Sequence, residues 1–417
     1  MTSTAQRLTQ LASAVTGGAK AKVIAKHDDD VVIVSALRTA ITKGRKGGFK
    51  DTLPEEMLSA VLRAVYSSVS LDPVLIEDVV VGNVLPPGGG ASAARMASLH
   101  AGIPNSSAVN TVNRQCSSGL TAINQVAMEI LAGQIDIGIG AGVESMTQGY
   151  GARAMASTSD KVLSNQEAAD CLLPMGITSE NVAADYKISR ESQDDFAAKS
   201  FQKAAKAQQA GAFKSEIIPV MVKWIDPKND EEKEIIVDAD DGVRDGVTKE
   251  SLAKLKPAFS KTGSTHAGNA SQVSDGAAAV LLARRSVAKR LGLPIIGKFV
   301  TAAVIGVPPR IMGVGPAYAI PRVLQKAGLQ LSDIDFFEIN EAFASQAIFS
   351  VQHLGIPFEK VNPNGGAIAL GHPLGCTGAR QVATGYAHAK ATGAKVFVTS
   401  MCIGSGMGMA AVFVNEQ

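Results

Sequence analysis

The chain has almost no excess of either charge: Lys+Arg 40 against Asp+Glu 38 in 417 residues. Without a basic surplus, no nucleic-acid footprint is expected. No apolar run approaches the roughly 18 residues that cross a bilayer, so no membrane-spanning helix is expected and the chain reads as soluble. Cysteines number only four (Cys116, Cys171, Cys376, Cys402), with no CxxC and no zinc-ligand spacing. Free thiols in a reduced compartment and no metal site follow as expectations. Gly138-x-Gly140-x-Gly142 and Gly404-x-Gly406-x-Gly408 echo a dinucleotide loop, but their spacing is wrong and the first-strand context is missing. Residues 1–27 hold no Asp or Glu. They carry Arg7, Lys20, Lys22 and Lys26, and Leu8, Leu11 and Val15 fall on one helical face. Residues 1–29 therefore read as an addressing segment and linker outside the fold.

What is present points to an ordered α/β protein: 46% hydrophobic residues and Gly 41. This length predicts two or more domains, or one with a large insertion. Val31 to Leu37, Asp78 to Val81 and Ile135 to Gly142 read as buried strands, and Pro54 to Ser67 has helical spacing. Such alternation implies a mainly parallel sheet covered by helices. Leu120 to Leu131 is apolar on nearly every face, which predicts a core helix.

An internal repeat organises the rest. A shift of 256 positions carries Cys116 onto His372, Gly119 onto Gly375, and Gln125-Val126-Ala127 onto Gln381-Val382-Ala383. With a one-residue slip, the segment from Ile76 to Asn83 matches Asp333 to Asn340. The segment from Gly276 to Leu282 resembles Gly408 to Val414. Two copies of one α/β unit are thus expected, the first interrupted by about 125 residues between Thr147 and Ala270. That insertion carries its own helix, with Ser189 as N-cap and Gly211 at its end. The charged run from Lys228 to Asp245 reads as a solvated hairpin or loop.

In such an arrangement Cys116 and His372 sit at equivalent helix starts facing one crevice. The loops Asn340-Glu341-Ala342-Phe343, Asn364-Gly365-Gly366-Ala367 and Met401 to Gly406 join them there. A Cys beside a His is the minimal activated nucleophile. A helix N-terminus is expected to lower the Cys116 pKa, and glycines let backbone N–H groups approach an oxyanion. Cys171 and Cys376 read as structural. His27, His100, His353 and His388 belong to no constellation.

The segments from Asn113 to Gly119, from Gly142 to Met146, from Asn340 to Phe343, from Gly365 to Pro373 and Cys402-Ile403-Gly404 together resemble the thiolases, over residues 30–417. Within that family they are similar to the fungal peroxisomal branch. The resemblance implies an α/β fold in five αβαβα layers, two duplicated halves with an inserted loop domain, and a homodimer. The halves would be residues 30–146 plus 270–290 and residues 291–417, with 147–269 as the insertion that holds coenzyme A. It implies an acyltransferase that cleaves 3-ketoacyl-CoA with CoA, giving acetyl-CoA and a shortened acyl-CoA, as in fatty-acid β-oxidation. Coenzyme A is a substrate, and no cofactor or metal is implied.

Residue by residue, Cys116 resembles the nucleophile, His372 its base, and Cys402 the acid–base for the enolate and the incoming CoA. Asn340 with His372, and the N–H groups of Cys116 and Gly404, resemble two oxyanion sites. Arg244, Ser251, Phe259, Ala267 and Ser271 match CoA-binding positions, with Met175 and Phe343 along the thioester channel. Pro174, where biosynthetic members carry His, favours the degradative class. Alternatives are an acetoacetyl-CoA-forming thiolase, a ketoacyl synthase, against which Cys402 argues, and a non-catalytic lipid-binding protein. The resemblance places the chain in the peroxisome, with an import receptor reading residues 1–29. Arg7-Leu8 fits a type-2 signal, but Ala14 and Val15 depart from it, so a mitochondrion is the alternative. The last residues, Asn415-Glu416-Gln417, are not Ser-Lys-Leu.

Overall fold

A computed structural model describes residues 18–151 and 158–417. The first half contributes β1 (Val31–Arg38), the short β2 (Thr42–Lys43), α1 (Pro54–Ser67), β3 (Asp78–Gly82), α2 (Ala91–His100), β4 (Ala108–Val112), α3 (Ser118–Leu131) and β5 (Ile137–Ser145). After β5 come α4 (Met175–Asp185), α5 (Arg190–Gln209) and the hairpin of β6 (Val220–Ile225) and β7 (Glu232–Val237). The chain then returns as β8 (Ser274–Arg284). The second half follows as β9 (Gly297–Gly306), α6 (Gly315–Ala327), β10 (Phe336–Ile339), α7 (Ala344–Leu354), α8 (Leu374–Thr392), β11 (Val396–Ile403) and β12 (Met407–Asn415).

The strands run β10-β11-β12-β9-β1-β8-β5-β3-β4, with β2 beside β8. Only Val32–Lys298 and Ile33–Gly297 join the two halves across β9 and β1. Pairing repeats on either side of that seam: β3–β5 and β10–β11 are parallel, and β5–β8 and β11–β12 antiparallel. α1 and α2 bury Met57, Leu58, Val61, Ala94 and Ala97 on the outer face of the first sheet. α6 and α7 bury Ile320, Val323 and Val351 on the outer face of the second. Between the sheets, α3 and α8 share one apolar cluster. The layers are therefore α-β-α-β-α, two halves of one topology.

The repeat holds in the central helices at the 256-residue shift. Leu120, Ile123, Val126 and Ile130 face the same cluster as Cys376, Ala379, Val382 and Tyr386. Two strand matches are out of phase by one residue. The slip pairs Val80 with Phe337, yet Val80 faces the central cluster and Phe337 the outer one; Phe336 is the true counterpart. Likewise Ala278 corresponds to Ala411, not Ala410. Side chains alternate across a strand, so a slip of one sends every residue to the wrong face.

The glycines of β5 serve packing, as any Cβ on Gly140 would strike the backbone of Ile123 and one on Gly142 the carbonyl of Gly375. The expectation that α3 is a core helix on all its faces is corrected: Met128 and Leu131 are 40% and 50% exposed. α5 begins as expected, with the Ser189 side chain accepting from the Ser192 N–H, and Gly211 follows its end at φ +73°. Beyond the β6–β7 hairpin the charged run is not solvated throughout. Asp240 is buried and takes two hydrogen bonds from Arg38, at 2.7 and 2.8 Å, while Glu216 takes a third at 2.6 Å. This fully buried guanidinium fastens the region after β5 to β1. A buried cation persists only when so paired.

Residues 18–29, expected as a linker outside the fold, lie on the second half. Residues 18–24 are helical, and Val23 and Ile24 pack on the outer cluster. Lys20 pairs with Asp335 at 3.1 Å and Lys26 with Glu416 at 2.9 Å. Arg7, Leu8, Leu11, Ala14 and Val15 lie outside the described residues.

Candidate active site

Cys116 sits in a 3-10 turn, Gln115–Ser117, immediately before α3. Ser118 closes that turn: its hydroxyl accepts from Arg114 N–H at 2.9 Å and donates to Gln115 O at 2.7 Å. Gln115 is left-handed, at φ +48°. Such a conformation costs of order 1 kcal/mol or more for a side chain with a Cβ, and it concentrates at functional turns. The turn packs against α8 and β11. A Cβ on Gly119 would come 2.6 Å from Gly375 O, so glycine lets the two helix starts meet. The N–H groups of Cys116 and Gly404 both act on the sulfur.

Those donors pull the thiol pKa down, but the net shift is upward, against the helix-start expectation. Burial dominates and pushes Cys116 up to about 11, with Glu144 adding to the rise. Desolvation of a thiolate outweighs a helix terminus and two N–H groups. Cys402, fully buried in β11, is pushed up further by burial and then by Cys116, which places the two sulfurs within electrostatic reach.

His372 lies just before α8, buried at 4% exposure. Its N–H donates to Gln272 O at 3.1 Å. The Thr377 hydroxyl is 2.6 Å from Nδ1 and donates to Pro373 O at 2.9 Å. That hydroxyl hydrogen is already used, so Nδ1 carries the proton and Nε2 keeps a lone pair. This tautomer is assigned from the network. Nε2 faces Asn340 Nδ2 at 3.3 Å, while Asn340 Oδ1 is buried without a protein partner. Burial first, and Arg380 second, pull the imidazole down to about 3, so it is neutral at pH 7.

Around Cys402 gather Ala270, Met312, Ala342, Phe343 and Met175. Phe259 meets Phe343 edge to face at 6.4 Å, and the Ser271 N–H donates to Ala342 O at 2.9 Å. Cys116, Gly404 and Cys402 are therefore brought together, as are His372 and Asn340, and Met175, Phe259, Ser271 and Phe343 line up beside Cys402. Arg244, Ser251 and Ala267 are exposed. Arg244 stacks over Phe201 at 4.8 Å, and Ser251 caps the short helix Lys249–Ala253 with Thr248. Their contacts are made within the region between β5 and β8.

Three residues escaped the sequence reading. Thr377 orients His372, and its hydroxyl one turn into an apolar-looking helix gave no signal. Glu144, inside a quoted motif, is buried at the meeting of the halves. His266 donates to Asp194 at 2.7 Å and accepts from Gly268 N–H at 3.0 Å, bracing the approach to Ser271. Cys171, read as structural, is half-buried with Sγ 3.8 Å from Ser405 O, beside the Gly404 loop. Cys376 is core, pushed up to about 12. Among the described residues, no group of three or more His, Cys, Asp or Glu could hold a metal ion, and no helix is long and apolar enough to cross a membrane.

The family model for the thiolase N-terminal domain matches residues 31–286, and that for the C-terminal domain residues 293–415. The chain is 60% identical to a protein named 3-ketoacyl-CoA thiolase, peroxisomal, of Yarrowia lipolytica, over 94% of this chain and 95% of that one. It is 58% identical to the human protein of the same name, over 92% and 90%. It superposes with a TM-score of 0.88 on the crystal structure of the dimeric peroxisomal thiolase of Saccharomyces cerevisiae, at 53% identity, covering 95% of this chain and 100% of that one. Two matched domains, one on each half of the repeat, and identity sustained across both show that the chain belongs to the thiolase family.

Proposed function

We propose that this thiolase cleaves 3-ketoacyl-CoA with CoA, yielding acetyl-CoA and an acyl-CoA shortened by two carbons, in peroxisomal β-oxidation. The reading is carried by the meeting of the two helix starts, Gly119 against Gly375, one bearing the Cys116 thiol and the other a neutral imidazole whose Nε2 lone pair accepts from Asn340, with the Cys402 thiol within electrostatic reach of Cys116. With Cys116 pushed up to about 11 and His372 down to about 3, the resting proton stays on sulfur. The thiolate forms only as it attacks. His372 Nε2 takes the proton, Sγ bonds to the 3-keto carbon, and the oxyanion is received by the N–H donors or by Asn340 with His372. A single donor of this kind typically contributes about 3–4 kcal/mol.

The bond between C2 and C3 then breaks, and its electron pair leaves as the enolate of acetyl-CoA. Cys402 donates a proton to that carbon. Its thiolate next takes the proton of incoming CoA, whose sulfur attacks the acyl group on Cys116. The shortened acyl-CoA departs, and Cys116 recovers the proton held by His372. No metal takes part in this scheme. Coenzyme A is held by the insertion, through Arg244, Ser251, Phe259 and Ala267, and by Ser271 just after it, with its thioester beside Met175 and Phe343.

A second copy covers the free edge of β4, where Met96, Leu99 and Met128 are exposed, so that the protein is a homodimer. The peroxisomal names of its relatives support that location, with a receptor reading the amino-terminal segment. The test is thioester absorbance with purified protein, CoA, acetoacetyl-CoA and longer 3-ketoacyl-CoAs. Absorbance should fall with acetyl-CoA produced. No loss at any chain length would leave the lipid-binding alternative in its place.

A further inference from the structure

Glu144, next to last in β5, is fully buried, and the scheme above does not use it. Its Oε2 accepts from Val84 N–H at 3.0 Å and from Gly375 N–H at 3.0 Å, and its Oε1 from Leu85 N–H at 3.1 Å. Val84 and Leu85 follow β3 in the first half. Gly375 lies in the first turn of α8 in the second half, three residues after His372. A Cβ on Gly375 would strike Gly82 O and Val143 O, so the start of α8 is seated flush on the first half. The contacts continue toward the nucleophile. Val84 O accepts from Asn113 Nδ2 at 3.3 Å, and Asn113 Oδ1 accepts from Gln115 N–H at 2.9 Å, one residue before Cys116.

We propose that Glu144 is a positioning residue that holds the nucleophile turn of one half in register with the base loop of the other. A carboxylate suits this task because it offers acceptors only, and three N–H donors from two segments converge on it. Its position at a helix start adds a favourable charge–dipole term. An amide cannot replace it, since its NH2 would face a backbone N–H. The cost of burial is visible in the carboxyl, pushed up to about 7, with Asp275 adding a smaller rise. The negative charge in turn raises the Cys116 and Cys376 thiols. The inference rests on the thiolytic reading for its kinetic arm only.

The experiment compares E144Q with the unsubstituted protein in two ways: steady-state thiolysis, and the pH profile of Cys116 alkylation by iodoacetamide. Misplacement near 1 Å can cost about 100-fold, so kcat should fall about 100-fold with KM for CoA within about twofold. The alkylation midpoint should move to lower pH, because a negative charge near the sulfur is gone. A kcat within threefold of the parent, or a lost kcat with an unmoved midpoint, overturns the assignment. Should E144Q fail to fold, E144D serves: one methylene too short for three donors, it should lose at least about tenfold in kcat, and full activity overturns the proposal. A parent that shows no thiolysis counts against the thiolytic reading, and the alkylation arm then judges Glu144 alone.

Discussion

The two central helices, α3 and α8, are copies of one element with opposite fates. Along their shared inner face they match residue for residue, Leu120 with Cys376 through Ile130 with Tyr386. On the other faces they diverge. Thr121, Asn124, Gln125 and Met128 of α3 are partly or fully exposed. Their counterparts on α8, Thr377, Arg380, Gln381 and Thr384, are buried. Each of these is tied: Thr377 to His372, Arg380 to Glu338 at 3.2 Å, Gln381 to Glu338 O at 3.0 Å, and Thr384 to Glu216 at 3.0 Å. The difference teaches how duplication yields a site. One copy keeps the open face and presents the thiol. The other is covered by the region between β5 and β8 and by β10, and its buried polar face anchors the imidazole. Hydrogen bonds in a low-dielectric interior are strong enough to specify one geometry, even though one oxygen each of Glu216, Glu338 and Gln381 stays without a partner; a base needs that and a nucleophile turn held by Ser118 does not.

Substitutions on the two copies test that asymmetry. The largest effect is expected for Cys116→Ala. Removing the nucleophile should lower thiolysis at least about 10⁴-fold while the folded state and CoA binding persist, as read by isothermal titration. Retained turnover would mean that the first copy does not supply the chemistry. Next comes the matched pair Thr377→Val and Thr121→Val. Loss of the hydroxyl frees the His372 tautomer, and kcat should fall about 10- to 100-fold, with Thr377→Ser restoring it to within threefold. Thr121→Val, at the equivalent place on α3, should leave kcat within twofold, and equal losses from both would erase the distinction.

The smallest effect concerns acid stability. His372, held down to about 3, takes no proton in the folded state between about pH 6.5 and 3, whereas the unfolded chain does. The unfolded state binds the extra proton, so this group's contribution to stability is complete above about 6.5 and is lost as pH falls. The loss is at most about 1.4 kcal/mol per pH unit. In urea titrations, His372→Gln should flatten the dependence of unfolding free energy on pH in that window. An unchanged slope would mean that the imidazole is not held neutral by the fold.

Much of this was legible from residues alone. The 256-residue shift identified α3 and α8 as equivalents and put Cys116 and His372 at their starts. Apolar spacing located α1 with the bounds it has in the structure, and Ser189 marked the start of α5. The strand matches slipped by one residue because short apolar strands look alike in either phase, and only the pairing partner settles which face is inward. Residues 18–29 looked like linker because their composition is small and basic, but Asp335 and Glu416, more than 300 positions away, hold them down. Thr377 and Glu144 gave no sign of their task, since a hydroxyl or a carboxyl reveals a role only through what it faces.

By itself the sequence determined the family pattern, the doubling of the unit and which thiols and imidazole are available, because these reside in residue identity and spacing. Tertiary structure alone decided their protonation. A helix start beside the thiol argues for a thiolate, but Cys116, half-buried under the assembled layers, loses enough of the water that would solvate one for desolvation to exceed what two N–H groups return. Burial is a property of the assembled layers, and no local stretch of the chain contains it.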